Sequence, residues 1–456
     1  MRSTPSAAAL LTTLLLPGAL HAQTDIATRY RAEADRLIDA ALADSAAYRR
    51  LATLTDRFGH RLSGSDGLER ALDWILEEMA RDGLENVRGE PVLVPHWVRG
   101  RESVELVSPL PRTLPMLGLG GSIGTPPEGI TAPVLVVSGF EDLRARGEQA
   151  RGRIVVYDVP FTSYGQTVPY RTNGAIEAAK LGAVASLVRS ITDFSLQTPH
   201  TGMMRYDSAV ARIPHAAITV EDAMLLHRMQ RAGDTPVVRL AMEARTLPDA
   251  TSRNVIAEIR GRERPDEIVV LGGHSDSWDV GTGAVDDGGG IVAAWEAVRL
   301  MKALDMRPRR TVRVVLWTNE ENGLRGAEAY RDAHRAELDR HSAAIETDAG
   351  TFKPRGFGFS GSDDAFAIVA QIGTLLERID AGRITRGGGG ADIGPIMRLG
   401  VPGMGLNVDG TRYFWYHHTD ADTLDKLDPR ELAECVATLA VMAWVLAELP
   451  ELLPRS

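Results

Sequence analysis

The sequence predicts an α/β protein with a mostly parallel mixed sheet, helices on both faces of that sheet, and a smaller β-rich inserted domain. From about residue 254, short apolar runs alternate with helical patterns, as is typical of a parallel sheet covered on both sides. Between residues 119 and 246 the runs are short and valine-rich, and they are interrupted by turn residues. The chain has 456 residues, 44% of them hydrophobic, so more than one core is expected.

Residues 25–83 are predicted to be helical. Ser65 or Asp66 can cap a helix that Gly83 ends. Its buried face is predicted from apolar residues at helical spacing, namely Leu68, Leu72, Ile75 and Met79. A strand is expected at residues 87–95, and the stretch 117–127, rich in glycine and proline, marks a boundary.

The inserted block and the second half of the chain have different element orders. In the inserted block we expect strands at 134–137, 154–157 and 182–188, with a helix at 175–181. In the second half we expect strands at 255–259, 268–271, 311–317, 343–346 and 401–406, and helices at 291–304, 326–334 and 429–449. The predicted division is therefore a discontinuous domain, 23–118 with 247–456, interrupted by the domain 119–246.

The first 22 residues have the pattern of a secretory signal peptide. Arg2 precedes an apolar segment at 7–16, and small residues lead to a cleavage site near Ala22. We therefore expect an exported protein, either periplasmic or extracellular. Cys435 is the only cysteine, so no internal disulfide is expected.

The overall charge excludes some classes of partner. The formal net charge is -10 and the chain has no basic run, which argues against nucleic acid and anionic membrane surfaces. Beyond the predicted signal peptide, no uninterrupted apolar stretch has the length of a membrane span.

Metal-competent side chains follow four of the predicted strands. His274 and Asp276 come after the strand at 268–271, and the pair Glu320-Glu321 comes after 311–317. The other two strands lead into Asp348 and into the pair His417-His418. Because ligands bind beyond the carboxyl ends of the strands in open α/β sheets, we expect these side chains to meet. Histidines and carboxylates without cysteine suit zinc.

Each of these motifs is common on protein surfaces, and their joint occurrence in order at strand ends carries the prediction. A site with two metal ions needs one carboxylate that bridges them, and peptide hydrolysis needs a general base that is not a ligand. The adjacent residues Glu320 and Glu321 could divide these tasks between a base and a ligand. The glycine-rich loop that contains Asp286 and Asp287 supplies candidates for the bridge.

Several segments resemble the cocatalytic di-zinc exopeptidases, which include aminopeptidases and glutamate carboxypeptidases. The segments are Gly-Gly-His274-Ser-Asp276-Ser-Trp, Gly-Ala-Val-Asp286-Asp-Gly-Gly, Asn-Glu320-Glu321-Asn-Gly, Glu-Thr-Asp348-Ala-Gly and Tyr-His-His418-Thr. The block 119–246 resembles the protease-associated domain found as an insert in several exopeptidases. The resemblance covers essentially the whole chain after the signal peptide and implies two zinc ions.

The resemblance also implies a role for each site residue. One zinc would be held by His274, Asp286 and Asp348, and the second by Glu321, His418 and the bridging Asp286. Glu320 would be the general base, and Asp276 would orient His274. Several relatives have a tyrosine where this chain has His417. Our hypothesis is that His417 donates to the oxyanion or to the terminal carboxylate of the substrate.

We expect an exopeptidase that hydrolyses dipeptides or short peptides. An aminopeptidase acting on longer peptides is the close alternative, because the sequence does not show which end of the peptide the pocket holds. A catalytically silent homologue and a single-zinc enzyme of the cyclase type are further alternatives, which zinc analysis separates. The inserted domain is expected either to restrict the site or to support a homodimer.

Overall fold

The computed structural model describes residues 26–455, so the predicted signal peptide at 1–22 lies outside the described residues. The strands are β1 Glu85–Val98, β2 Glu102–Ser108, β3 Arg112–Leu114, β4 Met116–Gly118, β5 Ile130–Val137, β6 Ile154–Tyr157, β7 Ala185–Arg189, β8 His215–Ile218, β9 Val237–Met242, β10 Arg245–Ile259, β11 Arg264–His274, β12 Arg310–Trp317, β13 His341–Glu346, β14 Pro354–Ser360, β15 Arg383–Arg386 and β16 Gly403–Val408. The helices are α1 Ile26–Ala43, α2 Ala46–Phe58, α3 Asp66–Arg81, α4 Phe140–Arg146, α5 Tyr164–Lys180, α6 Val220–Arg231, α7 Gly289–Ala303, α8 Arg325–Ala333, α9 Asp363–Gly373, α10 Gly394–Met397, α11 Tyr413–Tyr416 and α12 Pro429–Glu448.

The first sheet is mixed and has the strand order β1-β10-β12-β11-β13-β16-β14-β15. Its centre is parallel, because β12, β11, β13 and β16 run in one direction. The antiparallel pairs are β1 with β10, β10 with β12, and β14 with β16. The predicted strands at 268–271, 311–317 and 343–346 are confirmed in these central positions, and the strand predicted at 255–259 is confirmed within β10, beside the parallel centre. The strand predicted at 401–406 is shifted and runs from Gly403 to Val408.

Alternating residues of β12 show that both faces of this sheet are covered. Val312, Val314 and Leu316 belong to the core that includes α7 and α12. Val315 and Trp317 point to the opposite face, where they share a core with residues of α8 and α10. A strand that is buried on both faces has apolar side chains at nearly every position. This is why the strands in this part of the fold could be predicted from the sequence.

The predicted N-terminal helical region consists of three helices. In α3, the side chain of Ser65 accepts a hydrogen bond from the backbone N–H of Leu68, which confirms the predicted N-cap. The four apolar residues predicted for its inner face are all buried. Within residues 26–455, no helix has both the length and the hydropathy needed to cross a membrane.

The second sheet has the order β3-β2-β9-β5-β6-β7-β8-β4, with β5 to β8 parallel. It begins at Glu102, so the predicted boundary between residues 118 and 119 falls after three of its strands. The cause is long-range pairing, since Glu102 of β2 is registered with Met242 of β9 and hydropathy does not reveal such partners. We now propose a division in which the second unit spans about residues 99–244.

Candidate metal centre

The metal-competent side chains converge at the carboxyl edge of the first sheet. β11 ends at His274, and its parallel neighbours β12 and β13 lead into Glu320-Glu321 and into Asp348. The loop after β16 brings in His418. Because these strands run in parallel, the segments that follow them leave the sheet on one side.

Asp286 lies between two histidines and uses one oxygen for each. Its Oδ1 is 3.0 Å from His274 Nε2, and its Oδ2 is 3.3 Å from His418 Nε2. The same His274 nitrogen is 3.3 Å from Asp348 Oδ1, and the same His418 nitrogen is 3.1 Å from Glu321 Oε2. Each imidazole nitrogen therefore faces two carboxylates, and Asp286 is the carboxylate that both share.

Two of these oxygen atoms are left without hydrogen-bond donors. Asp286 Oδ2 and Asp348 Oδ1 are buried and accept no hydrogen bond from any residue in the described range. Buried acceptors of this kind are costly unless a cation or ordered water meets them. The ligand atoms of His274, Asp286 and Glu321 all lie within 4.8 Å of one another. Nitrogen and oxygen donors at such spacing fit a zinc centre.

Burial and the crowding of carboxylates shift the protonation of this cluster. Burial raises the pKa of Glu321 to about 7, and the charge of Asp286 adds to the rise. Burial also opposes ionisation of Asp286, but its contacts with His274 and His418 hold its pKa well below the usual range. Burial lowers the pKa of His418, yet Glu321 and Asp286 outweigh it and raise that pKa to about 10. Metal binding at this cluster must therefore release protons.

Asp276 contacts both His274 and the loop that carries the two glutamates. The group nearest to His274 Nδ1 is the backbone carbonyl of Asp276 at 3.0 Å, whereas its carboxylate lies 3.8 Å away. The carboxylate instead accepts hydrogen bonds from the backbone N–H groups of Glu320 and Glu321, at 3.1 and 3.3 Å. It also accepts one from the hydroxyl of Ser63. Asp276 thereby holds the loop that carries both glutamates.

Glu320 and Glu321 have different surroundings. Glu321 contacts His418 and belongs to a group of potential ligands, whereas Glu320 is in none of the ligand groups found among the described residues. Glu320 is half-buried and lines a cavity of about 550 Å³ together with Asp286, Asp348 and His418. This side chain is therefore placed to act on a molecule in the cavity.

His417 also lines the cavity and stacks on His418, with ring centroids 3.5 Å apart. Its Nε2 is 3.6 Å from Asp286 Oδ2, farther than the corresponding nitrogen of His418, and among the described residues it forms no ion pair with Glu321. Burial and the charge of His418 hold the pKa of His417 well below its usual range. Of the two histidines, His418 is therefore the better placed as a ligand.

Two further acids shape the loop of Asp286. Asp422 accepts hydrogen bonds from the backbone N–H groups of Val285 and Asp286, at 2.6 and 3.2 Å. Asp287 is fully buried and accepts one from the backbone N–H of His274 at 3.2 Å. The N-cap of α7 is Gly288, the residue that follows Asp287. These bonds fix the backbone of both Asp286 and His274.

Arg61 was missed by the sequence reasoning. It is fully buried, and its guanidinium donates to the backbone carbonyls of Ser275, Thr282 and Gly283 at 2.8–2.9 Å. Burial lowers its pKa, but the charges of Asp422, Asp276 and Asp287 counteract this. Arg61 therefore braces the site loops and offsets their negative charge. No local sequence motif indicates the role of Arg61, because its hydrogen-bond partners lie about two hundred residues further along the chain.

The segment after β7 in the second sheet also reaches the site. The backbone N–H of Thr201 donates to the carbonyl of His418 at 3.0 Å, and Thr201 O lies 3.2 Å from His418 Nδ1. His200 Nδ1 lies 2.8 Å from the carbonyl of His417. These contacts orient His418 so that its Nε2 faces Asp286.

The fold and the site together define a zinc metallopeptidase of the exopeptidase type. The model of peptidase family M28 matches residues 254–443, and the chain belongs to this family. The chain is 48% identical over 409 residues to carboxypeptidase Q of Mus musculus, covering 90% of this chain and 87% of that protein. It is 48% identical over 414 residues to carboxypeptidase Q of Homo sapiens, covering 91% and 88%.

Solved structures support the same classification. A peptidase M28 precursor from Shewanella amazonensis has a TM-score of 0.90 and 37% identity, covering 94% of this chain and 98% of its own. A zinc aminopeptidase from Bacillus subtilis has a TM-score of 0.67 at 20% identity, covering 88% and 95%, and shares the fold. The resemblance to zinc exopeptidases predicted from the motifs is thereby confirmed.

Proposed function

We propose that this chain is an exported exopeptidase with two zinc ions that hydrolyses dipeptides or short peptides. The observation that carries the proposal is the position of Asp286, whose two oxygens face two different histidines. Each of these histidines has a second carboxylate beside it. One ion would be held by His274, Asp286 and Asp348, and the other by Asp286, Glu321 and His418.

The proposed chemistry divides the work between the metal and the chain. Zinc in such a site polarises the scissile carbonyl and lowers the pKa of water. Glu320 accepts the proton that the attacking water releases and delivers it to the leaving amine as the carbon–nitrogen bond breaks. Asp276 keeps Glu320 in position by accepting a hydrogen bond from its backbone.

The proposal of a short substrate draws on the cavity and on the relatives. A volume of about 550 Å³ lies within the range of pockets that enclose small molecules. Carboxypeptidase Q matches over most of both chains, and its name denotes removal of a C-terminal residue. For a dipeptide, this cut is also the removal of the N-terminal residue.

A panel of substrates tests this function. We expect the zinc-loaded enzyme to hydrolyse free dipeptides, and to act at least about 10-fold more slowly on N-acetylated dipeptides and on tripeptides, whose extra groups leave buried polar partners unmatched. A chelator should abolish the activity and added zinc should restore it. Amino acid analysis of the products measures all three. Tripeptides cleaved as fast as dipeptides, with the N-terminal residue released first, would establish the aminopeptidase alternative instead.

His417 is proposed to donate a hydrogen bond to the oxyanion. We expect His417→Phe to lower kcat by about 100-fold, since the loss of one oxyanion donor has an effect of this order. Zinc content should be unchanged, because His418 is the proposed ligand. Steady-state kinetics and metal analysis of the same preparation provide the check. Wild-type turnover with normal zinc would remove His417 from the mechanism, and loss of zinc would make it a ligand.

Export is proposed from the first 22 residues alone. N-terminal sequencing of the protein recovered outside the cytoplasm is expected to begin near Gln23.

A further inference from the structure

We propose that the second unit helps to hold one of the two metal ions, the ion that Glu321 and His418 bind, and leaves the other ion to the first sheet. The inference rests on the proposed function and gives the second unit a part in metal binding. Two connections carry it. The indole of Trp278 enters the core of the second unit, and the backbone of Thr201 reaches from the second unit to the site.

Trp278 follows a strand of the first sheet but packs in the core of the second unit. It lies four residues after the end of β11, and 2% of its surface is exposed. Its core includes Val104 of β2 and Leu240 of β9, which belong to the second sheet. Large aromatic side chains contribute strongly to the packing of a core, so the loop after β11 is fixed to the second unit at this point.

Trp278 also contacts both ligands of this ion. Its backbone N–H donates to Glu321 Oε1 at 3.2 Å, and its ring lies edge-on to the imidazole of His418, with centroids 5.7 Å apart. The other oxygen of Glu321 is the one that lies beside His418 Nε2. Groups behind a metal ligand orient its donor atom. The carboxylate and the imidazole are therefore both positioned by a residue that is anchored in the second unit.

Gly120 is the residue of the second unit against which the indole packs. A Cβ atom at this position would lie 2.0 Å from Cη2 and 2.2 Å from Cζ3 of Trp278, closer than such atoms approach without a shift. Space for the indole is the reason for glycine here, because the φ of Gly120 lies outside the left-handed region. Its backbone also pairs with the segment after β7, through hydrogen bonds of 3.0 Å with Gly202 and with Met204.

Thr201 carries this pairing on to His418. The backbone N–H and carbonyl of Thr201 both contact His418. The hydroxyl of Thr201 lies 3.3 Å from Arg99 Nη2, and Arg99 Nε donates to the carboxylate of Asp279 at 2.9 Å. Asp279 is the residue after Trp278. The two connections are therefore joined to each other, and a displacement of one displaces the other.

The other metal position has no such connection. His274 is held by the backbone carbonyl of Asp276 and by the carboxylate of Asp287. Within the described range, no hydrogen bond or ion pair joins residues 99–244 to His274 or Asp348. The contact between the second unit and the loop after β11 therefore supports one ion and not the other.

The test is a zinc titration of the metal-free full chain against a chromophoric chelator. We expect Gly120→Ala to weaken one of the two binding steps by about 10- to 100-fold and the other by less than about 3-fold. Gly165→Ala is the matched control, because Gly165 lies on α5 of the second unit and a Cβ atom there meets nothing within 4 Å. Adding Gly120→Ala to His418→Ala should not change the affinity for the remaining ion, which identifies the weakened position.

Trp278→Phe separates packing at Gly120 from a general loss of stability. Phenylalanine lacks the outer indole atoms that the added methyl group would meet. The double variant Gly120→Ala with Trp278→Phe should therefore bind zinc at least about 3-fold more tightly than Gly120→Ala alone, since residues in contact do not act additively. Trp278→Phe alone tests the inference if Gly120→Ala does not fold, because the ring contact with His418 is reduced and the same binding step should weaken.

Other outcomes overturn the inference or bear on the proposed function alone. Equal weakening of both steps would mean that Gly120 and Trp278 only stabilise the fold, and unchanged affinities would exclude the second unit from metal binding. Neither result depends on hydrolysis of a peptide. A wild-type chain with one ion would overturn the proposed function. Weakening of that ion by Gly120→Ala but not by Gly165→Ala would still support the inference, and no weakening would overturn it.

Discussion

Glu320→Gln is expected to lower kcat by about 1,000-fold, equivalent to about 4 kcal/mol of transition-state stabilisation. Glutamine has the same shape as glutamate but cannot take a proton from water. Glu320 belongs to none of the ligand groups found among the described residues, so zinc content should be unchanged. The backbone hydrogen bond to Asp276 does not involve the side chain, so the thermal unfolding midpoint should also be retained.

Three measurements on one preparation check this expectation: steady-state kinetics on a free dipeptide, metal analysis and thermal unfolding. Glu328→Gln is the matched control, since Glu328 is exposed on α8 a short distance along the chain. More than a tenth of wild-type kcat in Glu320→Gln would end its assignment as the base. A loss of zinc would instead make Glu320 a ligand.

Asp286→Ala is expected to abolish activity and to reduce the zinc content from about two ions per chain to less than one. The reason is geometric, because Asp286 is the carboxylate that contacts both His274 and His418 among residues 26–455. Since even supporting residues around a metal change its affinity by about 10- to 100-fold, the loss of a shared ligand should weaken both positions by more. His418→Ala should remove one ion and leave the other, because the contacts between His274 and Asp348 remain.

Metal analysis after dialysis against a defined free zinc concentration distinguishes these cases. His60→Ala serves as the control, because His60 is exposed and belongs to none of the ligand groups found in the described range. Equal zinc content in Asp286→Ala and His418→Ala would show that Asp286 serves only one ion. One ion per wild-type chain would favour the single-zinc alternative.

The centre of the first sheet was predictable because its strands are buried on both faces. Runs rich in apolar residues, such as residues 311–317, are typical of strands in this position, and the polar residues that follow them must lie at the sheet edge. This rule alone was enough to predict that His274, Glu321 and Asp348 lie close together. The choice between Asp286 and Asp287 came from resemblance, and the distances now place Asp286 between the histidines and Asp287 behind them.

The second sheet was predicted less well, because its antiparallel strands pair over long stretches of chain. Strand β2 pairs with β9, and neither segment carries a local signal of its partner. The predicted boundary therefore placed residues 102–118 with the wrong sheet. The helix predicted at 175–181 is in fact α5, Tyr164–Lys180, whose earlier turns contain Arg171.

The sequence by itself determined the parallel sheet, the edge at which the chemistry lies, and the identity of the metal-competent residues. It could do so because strand burial and ligand type are local properties of the chain. Only the tertiary structure decided which oxygen of Asp286 faces each histidine, which backbone groups the carboxylate of Asp276 binds, and why Arg61 lies buried at the site. These contacts join residues that are far apart in the chain. Whether a buried charge is stabilised depends on the groups that packing places around it.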